Sequence, residues 1–251
     1  MIFVIARREL RSLFMSPLAW TILAVVQVIL AFMFFSQIDF YIQLQPRLAA
    51  MSSAPGITEI IVAPLFANAA VVLMLVVPLL TMRLISDERR NQTLSLLLSA
   101  PLSMTEIVLG KYLGAMIFLL VQLLLIILMT VSLLLGGNLD LGVVASCSLG
   151  LALLLASFSA LGLYMSTLTA QPTVAAVATF GVLLLLWVLE LSNGGSDSSS
   201  GNVLSYLSLL SHYQSLLKGL FSSADVIYFL LFSTVCLILS VRRLDAERLH
   251  S

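Results

Sequence analysis

The strongest constraint in this chain is a set of uncharged apolar runs, each long enough to cross a hydrocarbon layer. They fall at about 18–36, 60–82, 112–135, 142–168, 172–190 and 225–241. A bilayer core of roughly 30 Å needs about 20 helical residues at 1.5 Å each, and all six runs come close to or exceed that length. Backbone polar groups in a water-free layer are satisfied only in helices or closed barrels, and the leucine-rich runs lack the apolar/polar alternation of barrel strands. The expectation is an all-α integral membrane protein with six transmembrane helices. Only 10% of the 251 residues are charged, against roughly a quarter in soluble domains, which excludes an ordinary water-soluble fold.

Net charge is zero, so no basic surface argues for nucleic acid; the informative feature is how the charges are distributed. With an even number of spans, one side carries Arg7, Arg8, Arg11, Arg83, Arg89, Arg90, Lys111, Arg242, Arg243 and Arg248. The other side carries Arg47 and Lys218 alone. Under the positive-inside rule this places both termini in the cytoplasm. The first span has an apolar run too long for a secretory signal, and "AFMFFSQIDF" offers no small-x-small cleavage site, so it is expected to remain as an anchor. Cys147 and Cys236 fall at different expected depths, which predicts two buried thiols and no bridge.

Residues 1–16 place Ile2, Phe3, Ala6, Leu10, Leu13 and Phe14 on one helical arc, with Arg7, Arg8, Arg11 and Ser12 opposite. The pattern suits an interfacial helix, and a basic flank that merely sets topology is the alternative. Ser16-Pro17 then predicts an elbow into the first span. Pro64 and Pro78 predict a kinked second span. Asn68, Gln27 and Gln122 are expected to hydrogen-bond between helices. No ionisable residue falls mid-span; Glu190 comes nearest, at an outer, water-exposed rim.

The stretch "ISDERRNQTLSLLLSAPLSMTEIVLGK", residues 85–111, concentrates charge in a chain that otherwise avoids it. Ser86 suits an N-cap with Asp87 and Glu88 in the first turn, predicting a short helix over 86–99 that breaks at Ala100-Pro101. Ser103-Met-Thr-Glu106 is a capping box that restarts helix into the third span. Between the fifth and sixth spans, "SNGGSDSSSGN" reads as a flexible linker. The segment 203–221 that follows, with Tyr206, Leu210, His212, Tyr213 and Lys218, reads as one or two amphipathic helices at the outer face.

Several chemistries lack their residues. No G-x-x-x-x-G-K-[ST] phosphate loop occurs, since Gly110-Lys111 is followed by Tyr112 and lacks the earlier glycine, so no cofactor is expected on this chain. His212 and His250 do not make a zinc triad without other ligands, and no metal site is expected. His212 lies among serines, but without a G-x-S-x-G elbow it reads as a solvated loop histidine rather than part of a protease. An ion-coupled carrier normally keeps ionisable groups at mid-membrane.

These residues resemble the ABC-2 type permeases, especially the gliding-motility-type permease subunits of bacteria. The resemblance covers nearly the whole chain, 1–251 as a single transmembrane domain, and rests on "SPLAW", on "TMRLISDERRNQTLSLLLSAPLSMTEIVLGKYLGA" and on "LLKGLFSSADVIYFLLFSTVCLIL". Two positions depart from the family pattern: Gln92 stands where glycine is usual, and Ser95 where glutamate is usual. The resemblance implies a six-span permease half, not itself an enzyme, in the bacterial inner membrane. It implies partnership with a second half, identical or paralogous, and with cytoplasmic ATP-binding cassette subunits that carry ATP and Mg. An auxiliary membrane protein of the gliding-motility type is a further implied partner. Residues 86–99 would be the coupling helix that docks on the ATPase, through Asp87, Glu88, Arg89, Arg90 and Thr93. Arg7, Arg8 and Arg11 would lie on the connecting helix beside it. Residues 203–221 would be the outer gate, and a path along the second and fifth spans would involve Asn68, Pro78 and Glu190. Export is the implied direction. Two other readings stay open: a structural scaffold of an envelope or motility assembly, and an ion-coupled carrier.

Overall fold

The computed structural model describes residues 1–48, 56–92, 103–135, 139–193 and 208–250. Among them the regular structure is entirely helical. The helices are α1 (Ile2–Met15), α2 (Pro17–Leu48), α3 (Ala63–Thr81), α4 (Arg83–Arg90), α5 (Met104–Ser132), α6 (Leu141–Leu168), α7 (Pro172–Asn193), α8 (Leu209–Leu217) and α9 (Ser223–His250). Five segments are long and apolar enough to cross a membrane: Pro17–Pro46, Thr58–Arg90, Met104–Ser132, Leu141–Leu168 and Ser223–Arg248, with Pro172–Val188 a shorter apolar helix.

Residues Ile2–Met15 form a helix, α1, and the expected elbow follows it. Ser16 is extended (φ −82°, ψ 129°) between α1 and α2, and Trp20 Nε1 donates to the Phe14 carbonyl at 2.8 Å, tying the first turn of α2 back to the end of α1. Phe14 also meets the rings of Trp20 and Phe118. Arg7, Arg8, Arg11 and Ser12 are exposed and Ala6 is buried, as the arc requires.

Ala6 is buried because α1 lies unusually close to α5. A methyl group added at Gly110 would come within 2.7 Å of Ile5 Cβ, and one at Gly114 within 2.8 Å of Glu9 Cβ. The pair forms a small-x-x-x-small face that lets the two backbones approach. The sequence reading did not single out this spacing.

At the centre, α6 packs against α3, α5, α7, α8 and α9. Leu151, Leu154, Leu155 and Phe158 of α6 are buried in the main apolar core. Gly162 makes a second close approach, since a side chain there would land on Thr81 at the end of α3. A smaller core of Leu84, Ile85, Met104, Ile107, Val108, Ala115, Leu163 and Leu244 joins α4, α5, α6 and α9. Gln122 Nε2 donates to Gln27 Oε1 at 3.4 Å, the expected bridge between α5 and α2. Asn68 is half-buried and takes no hydrogen-bond partner among the described residues, contrary to the expectation of a helix–helix bond. Both cysteines are buried and unbridged, as expected.

Several boundaries differ from the sequence expectation, because polar residues at a span's end can continue its helix. α2 runs to Leu48, twelve residues past the expected end, and α9 runs to His250. The third span begins at Met104 rather than at 112: Ser103 Oγ accepts from Glu106 N while the Glu106 carboxylate accepts from Ser103 N, completing the predicted capping box. The irregularity of the second span is a π-helical turn, Thr58–Val62, immediately before Pro64, while Pro78 lies buried inside α3.

Candidate functional site: an ion-paired end

The charged helix α4 begins at Arg83, not at Ser86, and continues the apolar segment Thr58–Arg90 through a helical Met82 (φ −55°, ψ −31°). Ser86 is therefore an interior residue rather than an N-cap. Its hydroxyl bonds back to the Met82 carbonyl, and its amide, with that of Ile85, donates to Ser166 Oγ of α6 at 3.0 and 3.1 Å. Ser166 Oγ in turn donates to the Met82 carbonyl at 3.0 Å. A single serine hydroxyl thus fastens the joint between α3 and α4 to the end of α6.

Two of the charges of α4, Glu88 and Arg89, are engaged inside the chain. Glu88 Oε1 lies 2.8 Å from Lys111 Nζ, and Glu9 Oε2 of α1 lies 3.3 Å from the same ammonium. The Lys111 side chain is only 4% exposed, with Glu88 and Glu9 at 22% and 20%. One lysine therefore joins α1, α4 and α5. Burial of an ammonium is tolerable only with such partners. Arg89 donates to both oxygens of Glu247 at 2.6 and 2.7 Å, and to the Thr167 carbonyl at 2.8 Å, joining α4 to α9 and α6. Arg243 sits 3.6 Å from Glu247 on the same face of α9. Three helices, α5, α6 and α9, and the amphipathic helix α1 are thereby held around α4, with the smaller apolar core packed beneath.

Of the residues expected to face a partner, Arg90 is exposed and Asp87 half-buried, whereas Glu88 and Arg89 are committed to the internal pairs. Arg7, Arg8 and Arg11 are exposed on α1. Thr93 and the rest of 93–99 lie outside the described residues. Gln92, the position where the related pattern has glycine, adopts φ +56° just beyond the C-terminus of α4. That left-handed geometry is the one glycine takes without penalty, which accounts physically for a glycine preference there. Sequence reasoning missed the roles of Lys111, Glu9 and Glu247, because pairs separated by 23 to 158 positions leave no local signature.

At the opposite end, α8 is docked into the molecule rather than lying on it. Tyr213 is buried and donates to the Phe66 carbonyl of α3 at 2.9 Å; Ser146 of α6 donates to the Leu216 carbonyl at 2.9 Å. The helix ends in a Schellman arrangement: Gly219 at φ +75°, Gly219 N bonded to Leu216 O and Leu220 N to Ser215 O. His212 is buried rather than a solvated loop histidine. Its Nδ1 lies 2.6 Å from Asp225 Oδ1, and its ring stacks on Tyr228 at 4.2 Å between centroids. Ser215 Oγ bonds Asp225 and also the His212 carbonyl. The carboxylate thus joins the serine and the imidazole, an arrangement that positions α8 on α9 and does not align the serine with the imidazole as a nucleophile–base pair. Leu210 is half-buried and Lys218 exposed at the C-cap; Tyr206 lies outside the described residues. Glu190 falls on α7, with its side chain outside the described set. No group of three or more histidine, cysteine, aspartate or glutamate side chains converges as a metal site among the described residues.

A multi-helix membrane bundle with a buried ionic node at one end and a docked short helix at the other sets the frame for comparison with known families. A family model described as "ABC-2 family transporter protein" matches residues 3–249. The chain belongs to the ABC-2 transporter family. Comparison with curated proteins gives no match. ABC-2 membership together with five long apolar helices makes this a multi-pass membrane protein and a transmembrane transport component. The family implies a bilayer and an ATPase partner for such a component.

Proposed function

We propose that this chain is the permease half of an ATP-binding cassette exporter, of the gliding-motility type, driven by a separate cytoplasmic ATPase and paired with a second permease half in the bacterial inner membrane. The observation that carries the reading is the ionic node: Lys111 and Arg89 bind α4 to α1, α5, α6 and α9, so force applied to α4 is distributed to several helices at once. Docking falls to the outward parts of this end, Arg90, the segment through Thr93, and Arg7 and Arg11, whereas Arg8 and Asp87 line the cavity between α1 and α4. Glu88 and Arg89 then act by holding the docking helix to the spans.

Six crossings would complete this arrangement. Thr167, at the end of α6 and shortly before α7 begins, bonds Arg89 at the ionic end, and α8, which follows α7 in the chain, packs at the other end on Phe66 and Ser146. α7 would join the two ends as the sixth span, placing both termini on the basic, cytoplasmic side. α3 and α7 pack against each other within one chain. A path along Asn68, Pro78 and Glu190 would therefore open between two halves, with 203–221 as its outer gate. Asn68, polar and unpaired among the described residues, is the group such a path would present.

The test is co-purification in detergent with cassette ATPases from the same organism. Arg90→Glu with Arg7→Glu is expected to weaken association about tenfold or more through loss of complementary charge, with membrane insertion unchanged. Equal association of the reversed and native chains would overturn the docking assignment, and no association with any cassette subunit would favour the scaffold or carrier reading.

A further inference from the structure

A cavity of about 370 Å³ lies where α1, the elbow, the start of α2 and the α3–α4 joint meet. Its size falls within the range of small-ligand pockets, roughly 300–1,000 Å³. Its wall is divided in two. Leu13, Leu18, Leu79 and Leu80 make an apolar side, and Leu79 is itself exposed at the surface of the bundle. The polar side carries Arg8, Arg83 and Lys111 with Glu9, Asp87 and Glu88, alongside Ser12 and Ser16. Lys111 is saturated by Glu9 and Glu88. Arg8, Arg83 and Asp87 have no ion-pair partner among the described residues.

We propose that this cavity seats the headgroup of a zwitterionic phospholipid carrying a primary amine, drawn from the surrounding leaflet. Two free guanidiniums are the donors that a phosphodiester takes in a bidentate manner. A free carboxylate beside them accepts from an ammonium. The six charged side chains of the wall balance, three cations against three carboxylates, so a headgroup of zero net charge adds no uncompensated charge, whereas an anionic one meets Asp87. The depth also fits. α1 is amphipathic, with Phe3 and Met15 exposed, and Trp20 is exposed beside the elbow, a residue type concentrated at the headgroup level. Acyl chains leaving the seat would pass over Leu79 into the hydrocarbon. The lipid would touch every element that the ionic node joins on its α1 side, and so set how α1 rests against α4.

The inference relies on the bilayer placement of α1 and is read without any ATPase. Native mass spectrometry of the full chain, delipidated in detergent and offered equal phosphatidylethanolamine and phosphatidylglycerol, should show phosphatidylethanolamine adducts in excess. Arg8→Ala with Arg83→Ala should lower those adducts about tenfold or more, since each guanidinium–phosphate bond contributes on the scale of a charge-assisted hydrogen bond. Both arginines are exposed and unpaired, so the variant should retain the native elution profile. Ser12→Trp, exposed on α1, fills the cavity and should give the same loss, and Asp87→Asn should abolish the preference over phosphatidylglycerol. Equal adducts in native and Arg8/Arg83 chains, or a preference for phosphatidylglycerol, would overturn the assignment. Competition by soluble glycerophosphoethanolamine at matched concentration would overturn the membrane source. A native chain that takes up no lipid yet associates with its ATPase refutes the seat alone, and a native chain that takes up lipid but associates with no ATPase refutes the docking reading alone.

Discussion

The two ends of the bundle are held together by different chemistry. At the ionic end, full charges from distant parts of the chain meet: Lys111 with Glu9 and Glu88, Arg89 with Glu247. At the opposite end, a nine-residue helix is seated by hydrogen bonds to backbone carbonyls, Tyr213 to Phe66 and Ser146 to Leu216, with one His212–Asp225 contact. Charge pairs with several helices around one lysine resist separation in any direction. A short helix held by a few hydrogen bonds to its neighbours, with Leu209, Tyr213, Leu216 and Leu217 set into the apolar core, is released as a unit when those contacts are lost. The first arrangement suits transmission of force, and the second suits a part that moves.

The largest expected disruption is of the helix contact beneath the ionic node. Gly114→Leu puts a branched side chain against Glu9 Cβ and the Ala6 carbonyl, and α1 should lift from α5 at a cost of about 3 kcal/mol, measured by equilibrium unfolding in mixed micelles. Lys111→Met should come next. It leaves Glu9 and Glu88 largely buried without their cation, at a cost of about 2–3 kcal/mol once their partial exposure is allowed for. Adding Glu9→Gln and Glu88→Gln should recover most of that loss, which separates charge pairing from packing. At the other end, His212→Phe keeps the stack on Tyr228 but takes a partner from Asp225, and should cost about 1–2 kcal/mol while leaving α1 in place. The smallest change should be a gain: Gln92→Gly relieves a left-handed backbone position and should stabilise by about 0.5–1 kcal/mol in the same assay.

What was legible in the sequence was what local pattern encodes. The apolar runs, the elbow at Ser16-Pro17 and the capping box at Ser103–Glu106 each depend on residues a few positions apart. The amphipathic arc of residues 1–15 marked α1 as two-faced but did not say what it covers, because the Gly110/Gly114 face belongs to another helix. Ser86 looked like a cap because serine before two acids usually is one; the apolar Leu84 and Ile85 ahead of it pack into the smaller core and extend the helix backwards. His212 read as solvated because serines surround it, and Asp225, thirteen residues later, is what allows it to be buried. Glu88 and Arg89 looked like surface charges for the same reason: Lys111 and Glu247 are supplied by the fold.

The central claim is that the ionic end moves as one body when force reaches α4. Pulsed dipolar spectroscopy between spin labels on exposed Val4 of α1 and exposed Arg83 of α4, in the chain assembled with its ATPase, tests this directly. One distance, unchanged between nucleotide-free and ATP-bound states and broadened only by Lys111→Met, is the predicted result. Separation of the two labels on ATP binding in the native chain would contradict it.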